Sequence, residues 1–320
     1  MRAVRYERYG GPEVLELTER PIPEPRPGRV RIRVRAVGIN PADQKMRRGL
    51  FDPGSSAPQQ PRGTGLEVAG LVDAVGEPIE QAELTESASP GGPGELSVGQ
   101  GVFGTVSAGA AEYVLAKPEN LVLKPDWLSF ERAAALPLAS EAAYRTVVRL
   151  FDIRDGQILL IHAAAGAVGL VAAQLALARG AQVIGTASEP RHEFLRSIGV
   201  WPVAYGDDWE ARVAAVATAG VDRVLDASGR GVLPGSVRLA GGSDHVITIA
   251  DMTDAAQHGV RFTSGPPVPM AEVFDTVLPL VQQGRMLLPI HHTYRLDQIA
   301  EAHQDSENGH HLGKLMISLP

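Results

Sequence analysis

Residues 158–169 read Ile158-Leu-Leu-Ile-His-Ala-Ala-Ala-Gly-Ala-Val-Gly169. A short run of Ile and Leu, the composition of a buried strand, enters a turn of small residues. Those residues recur three apart, at Ala163, Gly166 and Gly169. The chain from Val168 to Ala178 is rich in Ala and Leu and reads as a helix, with Gly180 where a left-handed cap is expected. A strand, a small-residue turn and a helix start let backbone approach a pyrophosphate, with the first helical N–H groups facing its charge. The spacing departs from Gly-x-Gly-x-x-Gly, so the turn alone is a weak motif. The stretch from Ile158 to Ala178 also has the length of a membrane span, with His162 and Gln174 its strongly polar residues. Its change of character at Ala163-Ala164-Ala165-Gly166 reads instead as strand, turn and helix.

The chain around this turn strengthens the motif. Strands are predicted at Gln182–Gly185, Val203–Tyr205, Val221–Asp226, His245–Ile249 and Val260–Phe262, with helical stretches between them, one of them Pro190–Ser197. Such alternation predicts a doubly wound parallel sheet that binds a dinucleotide. The expected contacts are Ala165, Gly166, Ala167, Val168 and Gly169 in the turn, then Thr186, Ser188, Arg191, Tyr205 and Ile249. A carboxylate that would hold a ribose 2′-hydroxyl belongs at the end of the second strand. That strand ends Gly185-Thr-Ala-Ser188, with Glu189 one step later and Arg191 just beyond. A guanidinium there suits a 2′-phosphate, which favours NADP(H) over NAD(H).

The whole chain has 320 residues, enough for two domains. Charged residues make up 21% and the net charge is −7, which offers no electrostatic footprint for nucleic acid. The absence of cysteine excludes disulfides, thiolate catalysis, iron–sulfur clusters and Cys-ligated zinc. No apolar leader opens the chain, so a cytoplasmic protein without a membrane partner is expected. Residues 1–120 read mostly as strands; Val30-Arg-Ile-Arg-Val-Arg-Ala36 alternates apolar and basic residues. Between Glu77 and Val98 the chain is rich in Gly, Pro, Ser and Glu and reads as a surface loop, either a lid or a tolerated insertion. Helices are expected at Met270–Gln283 and about Leu296–Gln304, and a terminal strand at Lys314–Leu319. Tyr113-Val-Leu-Ala-Lys117 spells the Tyr-x-x-x-Lys pair of short-chain dehydrogenases, but it precedes the glycine turn in a β-rich region and reads as a strand.

Four further segments carry a resemblance. They are Gly38-Ile-Asn-Pro-Ala-Asp-Gln-Lys-Met-Arg-Arg-Gly49, Gly63-Thr-Gly-Leu-Glu-Val-Ala-Gly70, Ala111-Glu-Tyr-Val-Leu-Ala-Lys-Pro118 and Gly313-Lys-Leu-Met-Ile-Ser-Leu-Pro320. With the glycine turn and Val183–Ser188, the chain resembles a medium-chain dehydrogenase/reductase of the zinc-free quinone oxidoreductase (zeta-crystallin-like) branch over nearly its whole length. The resemblance implies an α/β protein of two parts. A GroES-like β-rich catalytic domain would span 1–123 and 266–320, with a Rossmann doubly wound parallel-sheet nucleotide-binding domain at 124–265. It implies an active site in the cleft between them, and a homodimer paired through the last sheet strand, near Val260–Ser264.

The resemblance also bears on metal. Zinc alcohol dehydrogenases of this superfamily place a Cys ligand where this chain has Asn40 and a His ligand where it has Leu66, leaving Glu67. No metal is expected. His291-His292 and His310-His311 are read as loop residues rather than ligands. Without zinc, an oxyanion must be stabilised by hydrogen-bond donors. The family position at Lys45 faces the nicotinamide cleft, so Lys45 is the first candidate donor, and Asn40 would sit near the nicotinamide ribose and substrate, or simply form the turn before Pro41. Where the family usually has Leu-Pro-x-x-Gly-Leu-Thr-Ala-Tyr, this chain has Leu136-Pro-Leu-Ala-Ser-Glu-Ala-Ala-Tyr144. Glu141 is then a candidate acid–base group, or a helix-start residue facing solvent. The expected reaction is NADPH-dependent hydride transfer to a small molecule, a quinone or an α,β-unsaturated carbonyl. A dedicated tailoring reductase and a non-catalytic, crystallin-like or sensory NADPH-binding protein are the alternatives.

Overall fold

The computed structural model describes residues 1–77, 96–265, 267–309 and 311–320. Most of the expected surface loop and His310 lie outside these residues. In chain order the elements begin with β1 (Arg2–Arg5), β2 (Glu16–Glu19), β3 (Val30–Ile39), α1 (Pro41–Arg47), β4 (Glu67–Val75), β5 (Gly101–Thr105), β6 (Tyr113–Ala116) and β7 (Leu121–Leu123). Next come α2 (Phe130–Ala134), α3 (Pro137–Tyr144), β8 (Ile158–His162), α4 (Ala167–Ala178), β9 (Gln182–Ala187), α5 (His192–Ser197), β10 (Trp201–Ala204), α6 (Trp209–Val216) and β11 (Arg223–Asp226). The last are α7 (Leu233–Ala240), β12 (Val246–Thr248), α8 (Met252–His258), β13 (Arg261–Phe262), α9 (Met270–Gln282), β14 (Ile290–Arg295), α10 (Ile299–Asn308) and β15 (Lys314–Ser318).

Two compact units result. The first comprises Met1–Leu138, Pro269–Phe274 and Pro289–Pro320; the second comprises Ala139–Val268 and Asp275–Leu288. The first junction falls after Leu138 rather than after residue 123 because the intervening chain is tied to the first unit. Lys124 N–H donates to the Gly101 carbonyl at 2.8 Å, and Leu138 N–H to Glu67 Oε2 at 2.8 Å.

The first unit is built on a seven-stranded sheet ordered β14-β15-β3-β4-β5-β7, with β6 also paired to β3. The alternation predicted for β3 is present: Val30, Ile32, Val34 and Ala36 are buried, while Arg31 reaches out to Asp73 at 2.6 Å. The strand runs on to Ile39 because its last residues are buried on both faces and pair with β15. Tyr113–Ala116 is a strand, as predicted for the Tyr-x-x-x-Lys segment. His291 and His292, expected in a loop, lie in β14, which pairs in parallel with β15. A register shift between Ile290 and His292 disturbs the alternation that would have marked the strand.

The second unit carries a six-stranded sheet ordered β10-β9-β8-β11-β12-β13, every pair parallel. Numbered within the unit this is 3-2-1-4-5-6, two mononucleotide-binding halves meeting at β8. The apolar stretch from Ile158 is strand, turn and helix. Gly180, at φ +86°, ends α4 in the left-handed conformation. Among the described residues no helix is long and apolar enough to cross a membrane.

Candidate functional site

In the second unit, all six strands point their carboxyl ends the same way, and the turns that leave this edge carry the candidate nucleotide site. Ala163 steps out of β8 in the left-handed region, φ +58°. Ala164 N–H donates to the Thr186 carbonyl at 3.1 Å, and Gly166 N–H closes back on the Ala163 carbonyl at 3.0 Å. Gly166 then caps α4, whose first-turn N–H groups have no acceptor within the helix.

The glycines of the turn differ in why they are needed. A Cβ on Gly169 would stand 2.4 Å from the Ala163 carbonyl oxygen and 2.7 Å from Ala164 Cα, so helix and strand touch there. A Cβ on Gly166 meets only the Ala163 oxygen, at 3.4 Å. The protein's own packing leaves that position open, as a cradle for a pyrophosphate requires. Gly166, Ala167 and Val168 form the half-exposed lip of the turn, with Ala165 and Gly169 buried beneath it.

The other predicted contacts share this edge but not one role. Ser188 and Arg191 bracket a turn closed by Arg191 N–H on the Ser188 carbonyl at 3.0 Å, and Glu189 between them is exposed. Tyr205 is exposed beyond β10, and Ile249 follows β12. Thr186 is different: it is buried, and its Oγ1 lies 3.1 Å from His162 Nδ1. His162 also meets Ser236 Oγ at 3.0 Å and the edge of Trp209. Burial holds its pKa down at about 4, so Thr186 braces β8 against β9 as part of a neutral, buried network.

One important residue had not been singled out. Asp226, buried at the end of β11, accepts from Ser228 N–H at 2.8 Å, Ser228 Oγ at 2.6 Å and Gly229 N–H at 3.2 Å. Its other oxygen accepts from Thr248 Oγ1 at 2.8 Å, and Thr248 Oγ1 in turn accepts from Ala250 and Asp251 N–H. One carboxylate thus shapes the turns after β11 and β12. The Asp-x-Ser-Gly order was the available clue, since Asp, Ser and Gly favour such side-chain-bonded turns.

Glu141 lies in the second unit and is neither solvated nor loose. Arg145 grips both its oxygens, Nε to Oε1 at 2.8 Å and Nη2 to Oε2 at 3.2 Å, and Val268 N–H donates to Oε1 at 3.1 Å. Those contacts bury it in an ion pair, whereas the helix-start alternative had it facing solvent.

In the first unit, β15, β3 and β4 are neighbours and gather Lys314, Asn40 and Glu67 at one end of the sheet. Asn40 Nδ2 donates to Glu67 Oε1 at 2.9 Å, and Lys314 Nζ stands 2.5 Å from the same oxygen. Lys314 also donates to Asn40 Oδ1. Lys314 and Glu67 are 2% and 0% exposed at the side chain, so the pair is fully desolvated. Gly38 must be glycine here, because a Cβ would stand 2.1 Å from Glu67 Oε1. Both ends of the Asn40 amide are engaged, so Asn40 belongs to this cluster rather than presenting a free donor to a substrate.

Lys45, the other candidate, is half-buried on α1. That helix is rigidly set. Its capping box joins Asn40 and Asp43, and Asp43 also accepts from Gly65 N–H at 2.9 Å and Thr64 Oγ1 at 3.2 Å. Burial pushes the Asp43 carboxyl up to about 6. Buried Arg47 pairs with Glu307 and donates to the Gly10 carbonyl and to His303 Nδ1.

An open 3-2-1-4-5-6 parallel sheet with this turn defines a dinucleotide-binding unit, here carried in one chain with a β-rich partner. Known proteins agree. Residues 26–126 match the alcohol dehydrogenase GroES-like domain, and residues 198–317 match the zinc-binding dehydrogenase family. A quinone oxidoreductase of Pseudomonas aeruginosa is 31% identical over 325 aligned positions, covering 95% of each chain. Among solved structures, the quinone oxidoreductase from Coxiella burnetii superposes over 100% of this chain and 99% of its own, with TM-score 0.83 and 28% identity. The CurK enoyl reductase does so over 100% and 99%, with TM-score 0.83 and 26% identity. The chain belongs to the quinone oxidoreductase family of the medium-chain dehydrogenase/reductase superfamily.

One matching family description names zinc, and the residues present do not suit it. Where zinc relatives supply Cys and His, this chain has Asn40 and Leu66, and Glu67 is already paired with an ammonium. An amide and a carboxylate bound to a lysine are a poor set for zinc, which favours thiolate and imidazole and would be repelled by the resident cation. Among the described residues no group of three or more His, Cys, Asp or Glu is placed to hold a metal.

Proposed function

We propose that this chain is an NADP(H)-dependent, zinc-independent reductase of quinones or α,β-unsaturated carbonyls. The observation that carries the reading is the Lys314–Asn40–Glu67 cluster in a member of this family: a fixed cation stands where the resemblance puts zinc ligands. NADPH, when bound, supplies the hydride. The chain's residues bind and orient it. The lip at Gly166, Ala167 and Val168 receives the pyrophosphate, Ser188 and Arg191 the 2′-phosphate, and Tyr205 covers the adenosine end. The half of the sheet shaped by Asp226 takes the other nucleotide, with Ile249 beside it. Lys45 donates a hydrogen bond to the acceptor oxygen that gains charge, a stabilisation worth several kcal/mol in such sites, about 3–4. We also propose a homodimer that adds a second copy to the open edge at β13.

A second reading, reduction of an enoyl thioester, is favoured by the likeness to CurK enoyl reductase. A steady-state panel separates the two. Oxidation of NADPH and of NADH is followed with a simple quinone, a short enone, an enoyl thioester and a saturated aldehyde. Turnover with NADPH on the quinone or enone is expected, with NADH poorer by about tenfold or more. Preference for the enoyl thioester supports the second reading. NADPH binding without turnover on any acceptor contradicts both and favours a non-catalytic role.

A further inference from the structure

Glu141 and Arg145 form an ion pair one helical turn apart, where α3 passes into a π-helical stretch, Arg145–Leu150. Such pairs are ordinary on a helix surface. This one has side-chain exposures of 8% and 7%, and burying two charges is costly unless further hydrogen bonds satisfy them. The π-helical stretch is itself uncommon and is often found at functional positions. Phe151 N–H reaches the Thr146 carbonyl at 2.9 Å, the wider step of that geometry.

Two further hydrogen bonds of the pair reach Thr263 and Val268. Arg145 Nη1 donates to Thr263 Oγ1 at 2.6 Å, and Val268 N–H donates to Glu141 Oε1 at 3.1 Å. Thr263 is the first residue beyond β13, and Val268 lies five residues further on. Ladder bonding holds the near end of this stretch, since Thr263 N–H donates to the Thr248 carbonyl at 3.0 Å. The ion pair adds a side-chain tether at Thr263 and a main-chain tether at Val268.

That position has a functional meaning. β11, β12 and β13 form the second mononucleotide half of the sheet, and ligands of such sheets bind outside the carboxyl ends of the strands. Thr263, where the chain leaves β13, therefore borders the nicotinamide half of the site, as the turn after β8 borders the pyrophosphate. We propose that Glu141 and Arg145 are positioning residues that fix Thr263 and Val268 beside the nicotinamide mononucleotide. The inference rests on the NADP(H) reading. It replaces the acid–base role expected for Glu141.

The test compares NADPH with adenosine 2′,5′-bisphosphate, which fills only the adenosine half. Two variants are used. Glu141→Leu/Arg145→Met exchanges the pair for apolar side chains, a replacement that folds well in other buried pairs. Thr263→Val removes one tether and leaves the pair intact. Dissociation constants for both ligands are measured by titration, with KM and kcat for NADPH turnover. The double variant is expected to bind NADPH about tenfold more weakly, with adenosine 2′,5′-bisphosphate unchanged within about twofold. Thr263→Val is expected to move the same way by less, and KM to rise more than kcat falls. Equal weakening of both ligands would mean a purely structural pair and would overturn the proposal. Unchanged NADPH binding in both variants would overturn it too. If the wild-type chain binds neither ligand, the NADP(H) reading fails first and takes this inference with it.

Discussion

Lys314→Met is expected to destabilise the protein by about 3–5 kcal/mol, the usual cost of leaving one member of a buried ion pair without its partner. Met fills much of the volume of Lys314 without its charge, and Glu67 would remain fully buried. The hydrogen bonds from Asn40 and Leu138 to Glu67 offset part of the loss, but they carry no full positive charge. Glu67→Gln/Lys314→Met removes both charges and should recover much of the stability. Urea denaturation of the two single variants and the double variant yields the coupling energy. A coupling near zero would show that the cluster is held by packing rather than by charge.

The second large effect lies in the glycine turn, where two glycines are expected to fail in opposite ways. Gly166→Asp places a favourable N-cap side chain at the start of α4, so the free protein should be as stable as wild type or more so. The same carboxylate faces the position proposed for the pyrophosphate. Two like charges about 4 Å apart cost about 4 kcal/mol near a protein surface, so NADPH affinity should fall by at least about a hundredfold. Gly169→Ala should do the reverse. Its Cβ meets backbone atoms at 2.4 and 2.7 Å, which cannot rotate away, and the fold should lose about 1–3 kcal/mol or more. Melting curves and NADPH titrations on both variants check the contrast. Loss of stability at Gly166, or unchanged NADPH affinity there, would contradict the assignment of the turn.

What could be read from the chain follows the range of the forces involved. β8 and α4 were legible because the switch from Ile and Leu to Ala and Gly is local, and so was the alternation of β3. β14 was not, because its histidines are polar and its pairing with β15 is broken by a register shift. The glycine turn was recognisable by spacing, but it is the surrounding packing that separates Gly166, open to a ligand, from Gly169, filled by the protein itself. Asn40 illustrates the limit most clearly. Its neighbours in sequence marked it as a site residue, yet its side-chain amide is also bonded to residues of distant strands, Glu67 and Lys314. Glu141 was marked by its departure from the family pattern, but its partner Arg145 was not. That the pair is buried rather than on a surface depends on Thr263, more than a hundred positions away.

The proposed metal-free hydride transfer is tested by zinc removal and return. The protein is stripped with a chelator, its zinc content is determined, and NADPH oxidation by a simple quinone is followed before and after zinc is restored. The expected result is full turnover in protein with no bound zinc, unaffected by its return. An inactive stripped protein that regains turnover in proportion to bound zinc would contradict the account.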